Sequence, residues 1–254
     1  MIDLHSHLLP AVDDGARTVE QAVHTLRTMA QNGVTELCLT PHLTASQAEH
    51  GVPAAHDAAF AALQAAAPES PRLHRGAEVM LDRPLGERAA SDPGIRLGGT
   101  RYILVEFPRM VAGEAVRNAL ARVVASGLIP VLAHPERYTS CTVEAVRRWR
   151  DLGALMQLDA TTMLLGRGRG ERVRALLAAG LGDILAADNH GDSRMMLGAW
   201  QLLEEHGGGE QAQLLTTANP SAILRDKPTE EVPPIVLKPS LLDRLRRLWP
   251  SAEQ

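Results

Sequence analysis

The feature that most constrains this chain is a regular alternation of two patterns. Short apolar runs are separated by stretches whose apolar residues recur at i, i+3, i+4 and i+7. Seven runs read as strands: Ile2–His5, Glu36–Thr40, Leu73–Glu78, Tyr102–Phe107, Ile129–Ala133, Ala154–Asp159 and Asp183–Ala187. The intervening helical patterns start at Thr18, where Thr18 and Gln21 suggest a capping box ahead of Val19, Ala22, Val23, Leu26 and Met29. Others run through Ala54–Ala67, Glu114–Ala125, Val143–Leu152, Glu171–Ala179 and Met195–Glu205. Strands that alternate with helices pair in parallel through right-handed crossovers. A closed βα barrel suits seven such units. A doubly wound open sheet is the alternative, but the first strand lacks the glycine-rich phosphate loop of dinucleotide-binding folds.

The length of 254 residues fits one large α/β domain or two small ones. Aromatic residues make up only 3%, so the core must be built from Leu, Val, Ile and Ala. A net charge of −4 gives no support for a nucleic-acid surface. Lys227 and Lys238 are the only lysines, which leaves arginine as the cation for any phosphate recognition. Cys38 and Cys141 do not make a disulfide framework, and Cys38 reads as a small buried residue. No apolar run reaches transmembrane length, and the chain enters a strand at once, without a basic leader. A reducing, cytoplasmic setting is expected. Near Arg225 the composition shifts: Pro228, Pro233, Pro234 and Pro239 mark an extended connection, and residues 240–249 read as a short basic amphipathic helix.

Unusual polar residues stand at the C-terminal ends of the expected strands, where parallel barrels carry their chemistry. The first strand ends in His5-Ser6-His7, a spacing that puts both imidazoles on one side of an extended chain. Thr40-Pro41-His42, Glu78, Glu106, His134 and Asp188-Asn189-His190 end later strands, and the first loop adds Asp13 and Asp14. Burying this many titratable groups together is costly without a cation to neutralise them. Neutral histidine and ionised carboxylate are what a divalent ion requires. Two or three ions sharing a bridging carboxylate would use the set; mixed N/O ligation without thiolate suits manganese, zinc or iron.

In these residues the chain resembles the polymerase-and-histidinol-phosphatase (PHP) superfamily. Within it, the chain is most similar to the manganese-dependent protein-tyrosine phosphatases of capsule and exopolysaccharide gene clusters. The likeness is carried by the opening from His5 to Ala16, Thr40-Pro41-His42, Gly76-Ala77-Glu78, Glu106-Phe107-Pro108, the stretch from Ala133 to Tyr138, and Asp188-Asn189-His190. It spans residues 1–225, which would form the phosphatase domain, with 226–254 as connection and tail. The resemblance implies a distorted seven-stranded (βα) barrel of the PHP type holding three divalent ions, manganese first, with zinc or iron as alternatives. By position, His5, His7, Glu78 and Asp188 would hold one ion; Glu78, Glu106 and His134 a second; and Asp14, His42 and His190 a third, with Asp13 in reserve. Arg137 and Arg194 would bind the substrate phosphate, a role that fits the guanidinium fork. The implied activity is hydrolysis of phosphotyrosine by a metal-activated hydroxide, on a membrane-linked polysaccharide-assembly kinase. Rival readings are a phosphomonoesterase of the histidinol-phosphatase type and a catalytically silent binding protein. Asn189 and Leu43 depart from the family pattern at the pocket rim without removing a ligand.

Other signals carry less. Cys141 and Arg147 have the Cys-x5-Arg spacing of thiol-dependent phosphatases, but the intervening Thr-Val-Glu-Ala-Val has no glycine to cradle phosphate and begins a helix. His24 is expected to face solvent, His206 to close a helix, and His50 and His56 to lie in a loop near the site. Asp159 is expected to support the ligands from behind.

Overall fold

The computed structural model describes residues 1–237, so the expected tail helix over 240–249 lies outside the described residues. Strand β1 (Ile2–Asp3) leads through a long loop to helix α1 (Val19–Gln31). Strands β2 (Glu36–Leu39) and β3 (His42–Thr44) precede α2 (Ala45–Ala48) and α3 (Ala54–Ala66); β4 (Arg72–Arg75) and β5 (Glu78–Met80) precede α4 (Glu87–Ser91). Then come β6 (Tyr102–Glu106), α5 (Gly113–Ala125), β7 (Ile129–Ala133), α6 (Val143–Arg150) and β8 (Leu155–Asp159). The chain continues through α7 (Ala160–Met163), α8 (Arg169–Ala178), β9 (Ile184–Ala186), α9 (Leu197–Glu205), α10 (Gly209–Gln213) and α11 (Asn219–Leu224).

All strand pairs are parallel. They form a three-stranded sheet in the order β1-β2-β4 and a six-stranded sheet in the order β3-β5-β6-β7-β8-β9. The expected strand Leu73–Glu78 is therefore divided between β4 and β5, and the expected strand Glu36–Thr40 is followed, after a break, by the unexpected short strand β3. One break falls at Thr40-Pro41, where proline offers no N–H to a ladder; the other falls at Gly76-Ala77. Backbone bonds still cross both breaks: Gly76 N donates to Leu39 O at 3.0 Å and Glu78 N to Pro41 O at 3.1 Å. The two ends of the strand series meet at an isolated parallel bridge between Ser6 and Asn189.

Burial explains why the strands read as unbroken apolar runs. All five residues of β6 are buried, but they serve different cores. Ile103 and Val105 pack with Val116, Leu120 and Val123 of α5. Tyr102 and Leu104 join Ile2, Leu4, Cys38, Val131, Ala133 and Ile184 in a separate interior cluster. Alternate side chains leave opposite faces of a strand, so this sheet is covered on both sides. Helix α1 buries Ala22, Val23, Leu26 and Met29 against Leu37, Leu39 and Leu63, as its periodicity predicts. Thr18 does cap it, but the box is only half formed, because the Gln21 carboxamide accepts from Arg17 N instead of from the cap. The complete box is Thr44 with Gln47, at the start of α2.

The described part of the proline-rich connection forms neither helix nor strand, and it is packed. Val232, Ile235 and Leu237 are buried. Ile235 N donates to Leu177 O of α8, and the Asn219 side chain holds both the N–H and the carbonyl of Glu230. Among the described residues, no helix is long and apolar enough to cross a membrane.

Candidate metal centre

The first loop is folded back onto β1's continuation, and that fold presents two acids. Ala16 N donates to His7 O at 2.8 Å, and a Cβ on Gly15 would stand 1.9 Å from that same oxygen, so only glycine fits there. Asp13 is turned inward. Its carboxylate accepts from His7 Nδ1 at 2.8 Å, from Gly15 N and from His42 N, and these contacts outweigh burial to hold its pKa at about 2. Asp14 points the other way, with Oδ1 3.5 Å from His42 Nε2 and 3.4 Å from His190 Nε2.

Two further positions adopt left-handed backbone at the ends of strands. His134 follows β7 with φ 33°, and Asp188 follows β9 with φ 49°. Such conformations cost non-glycine residues on the order of 1–3 kcal/mol and tend to gather at functional sites. Here they bring an imidazole and a carboxylate to the wall of the same cleft.

All nine expected ligands are brought together. Their ligating atoms fall into four overlapping groups, each within 4.8 Å: His7, Asp14, His42 and His190; His5, Glu78 and His134; His5, His7 and Asp188; and His42, Glu78 and Glu106. Glu78 is common to two groups. Its Oε2 lies 3.2 Å from His5 Nε2, 3.4 Å from His7 Nε2 and 3.1 Å from His42 Nδ1, and its Oε1 lies 2.8 Å from His134 Nε2. The grouping is more interlaced than the sequence implied. His42 faces Glu78 and Glu106 through Nδ1 and Asp14 through Nε2.

The hydrogen bonds behind these residues decide which nitrogens carry lone pairs. His134 N donates to Gln157 Oε1, which fixes the orientation of that amide; the same oxygen, 2.9 Å from His5 Nδ1, can only accept, so Nδ1 carries the proton. Asp13 likewise takes the Nδ1 proton of His7, and Asp188 O takes that of His190. The Nε2 lone pairs of His5 and His7 then face one another at 3.2 Å, with Asp188 Oδ1 3.3 and 3.2 Å away. Glu78 Oε2 and Asp188 Oδ1 are buried without a hydrogen bond. Buried acceptors converging without donors need a cation between them. The electrostatics agree. Burial opposes charge on both imidazoles, but Glu78 and Asp188 outweigh it at His5, and Asp13, with Asp188 and Glu78, outweighs it at His7, so both are raised. His42 is raised to about 10 by Glu106 and Glu78 against its burial, while Glu78 and Asp188 are held well below the usual carboxylate range. The donor set therefore fits divalent metal ions.

The groups open into a cleft of about 280 Å³, whose wall also includes Met80, Phe107, Pro108, Arg109 and Arg137. Arg137 donates through Nη2 to Asp159 and Asp188, which leaves the other guanidinium edge for a ligand. Asp159 also caps α7 through its second oxygen, so it holds Arg137 and contacts none of the expected metal ligands itself. Arg194 stands further out, paired with Asp192 and 3.5 Å from Asp188 Oδ2. Gln157 and Arg109 were not singled out in the sequence. Gln157 had a signal, as the one polar residue inside the apolar run Leu155–Leu158; Arg109 had none. The other histidines take minor places: His24 and His50 are exposed, His206 closes α9, and His56 is buried in α3. Cys141 is buried, its thiol pushed up to about 12, and it directly precedes the cap of α6. It builds no phosphate loop.

Comparison with known proteins agrees with this centre. Tyrosine-protein phosphatase YwqE of Bacillus subtilis is 28% identical over 247 residues, covering 94% of this chain and 97% of its own. Tyrosine-protein phosphatase CpsB of Streptococcus pneumoniae is 27% identical over 241 residues, covering 89% and 99%. Crystal structures of YwqE and CpsB, described as unique metal-dependent tyrosine phosphatases, match with a TM-score of 0.74 and 26% identity, covering 94% of this chain and 100% of the other. The family described as "Capsular polysaccharide synthesis, CpsB/CapC" matches residues 1–225, and this chain belongs to it.

Proposed function

We propose that this protein is a metal-dependent protein-tyrosine phosphatase. The observation that carries the reading is the convergence of nine histidines and carboxylates from successive strand ends onto one cleft. Three ions suit the set: one on His5, His7, Glu78 and Asp188, one on Glu78, Glu106 and His134, and one on Asp14, His42 and His190. Manganese is the first candidate, with zinc or iron as alternatives. Bound divalent ions supply Lewis acidity toward a phosphoryl oxygen and acidify water. The chain's own residues do the rest. Arg137 offers its free edge to two phosphate oxygens, Arg194 adds charge from the rim, and Met80, Phe107 and Pro108 give an apolar wall for an aryl ring. A phenolic leaving group has a pKa of about 10, so its departure asks little of a general acid. The scaffold is a distorted seven-stranded (βα) barrel, in which β2 with β3 and β4 with β5 are halves of single strands; the backbone bonds that cross both breaks support it.

The family's link to capsular polysaccharide synthesis supports a phosphotyrosine substrate on a membrane-linked assembly kinase, met in the cytoplasm. The test is metal analysis of protein purified without chelator, with turnover of a phosphotyrosine peptide and of histidinol phosphate. The expected result is bound divalent ions, peptide hydrolysis abolished by chelation, and poor turnover of histidinol phosphate. Preference for histidinol phosphate would move the protein to the small-molecule phosphatases. Activity that survives removal of the metals would remove the metal mechanism.

A further inference from the structure

We propose that a groove beside the metal centre binds an acidic flank of the substrate peptide, on one side of the phosphotyrosine. This inference rests on the phosphatase reading and adds a sequence preference to it. Phe107 and Pro108 form part of the wall of the cleft, and they also line a second groove of about 270 Å³. The two are therefore continuous, and the chain on one side of a tyrosine seated in the cleft is led into the groove. Its floor is apolar, from Leu81 after β5 to Val111 and Ala119 beside and on α5.

The charge of the groove selects the flank. Arg83 and Arg122 line it, no acidic residue does, and Arg109 stands in the cleft wall at the junction. All three arginines are exposed, and none makes an ion pair among the described residues. The neighbouring carboxylate of Asp82 is already engaged by Ser46. Ala115, Ala119 and Arg122 share one face of α5 at i, i+4 and i+7, a span of about 10 Å at 1.5 Å per residue. An extended peptide covers that in about three residues at 3.3 Å each. Acidic side chains three or four positions from the phosphotyrosine would reach Arg122, with Arg83 as the second contact.

The experiment uses the metal-loaded full chain and matched phosphotyrosine peptides. Glu pairs are placed three and four positions before or after the tyrosine, and a neutral peptide serves as reference. The expected result is a kcat/KM higher for one acidic peptide by on the order of fivefold, as two solvent-exposed ion pairs allow, and falling with added salt. The double variant Arg83→Ser with Arg122→Ser should bring the ratio of acidic to neutral peptide to about one. Because the ratio is taken within each protein, a general loss of activity cancels. Ala119→Glu, as an independent variant, should reverse the preference toward a Lys-flanked peptide. Equal use of acidic and neutral peptides by the wild type would overturn the groove while leaving the phosphatase reading intact, as would a preference that survives both variants. No hydrolysis of any phosphotyrosine peptide would overturn both.

Discussion

His5 can offer a lone pair to a cation because Gln157 takes its other nitrogen. Gln157 is fully buried in β8, and its oxygen is held by His134 N while its own amide donates to Leu158 O. Replacing it by Met keeps the volume and removes the acceptor. The expected outcome for Gln157→Met is a metal content below that of the wild type and a rate lower by about ten- to a hundredfold, as when partners of metal-binding histidines are lost elsewhere. Metal analysis beside peptide turnover checks it, and a wild-type metal content would show that His5 needs no such support. The strand-end ligands were legible in the sequence because a His or Glu that closes an apolar run stands out against its neighbours. Their supporting partners were less so. Asp13 and Asp14 are adjacent in the sequence, and only the fold of the loop decides that Asp13 holds His7 while Asp14 faces His42 and His190.

Between residue and fold stand the short elements, and here the sequence is a poorer guide. The long helices were legible because two or more turns of one apolar face leave a periodic trace; α3 and α5 begin and end within a residue of the pattern, and α1 begins one residue after Thr18. Helices α2 and α7, of four residues each, are too short to show a period, and capping sets them: Thr44 for one, Asp159 for the other. The break inside the third expected strand, and the short strand β3 beyond the end of the second, were equally hidden, since hydropathy does not change across Gly76-Ala77 or Thr40-Pro41. The loop before α1 is fixed by steric fit. In Gly15→Ala the new methyl must displace His7 O, and with it the strand that carries both first histidines. The expected cost is about 1–3 kcal/mol of stability, typical of forced overpacking, together with a lower metal content because Asp13 and Asp14 lose their placement. Thermal melting and metal analysis read the two effects. An unchanged melting temperature with full metal content would show that the loop is free to move aside.

At the scale of the whole molecule, the match to the family ends at residue 225, but the packed body does not. Residues 226–237 cover part of the helical layer. Val232, Ile235 and Leu237 are buried against the main core cluster, Tyr102 donates its hydroxyl proton to Lys227 O, and Asp226 pairs with Arg101. Asn219 is buried, and its amide is satisfied in part by Glu230. The prolines of this stretch hide its role, because a chain outside helix and strand that buries every second or third residue leaves no helical or strand period to read. Three buried aliphatic side chains are worth roughly 1.5–3 kcal/mol each, an upper bound because unfolded chains already shield some apolar surface. An unsatisfied Asn219 amide would add about 1–3 kcal/mol. Against a total stability of about 5–15 kcal/mol for a folded domain, that loss is large. A chain ending at residue 225 should therefore melt more than about 10 °C below one ending at residue 237, at about 2–4 °C per kcal/mol for a domain of this size, or fail to stay folded at all. The comparison needs only the two truncated proteins, with melting followed by circular dichroism in the same buffer and metal. Superimposable melting curves would make residues 226–237 a passenger on the fold, whereas a drop confined to the shorter protein would extend the folding unit to residue 237.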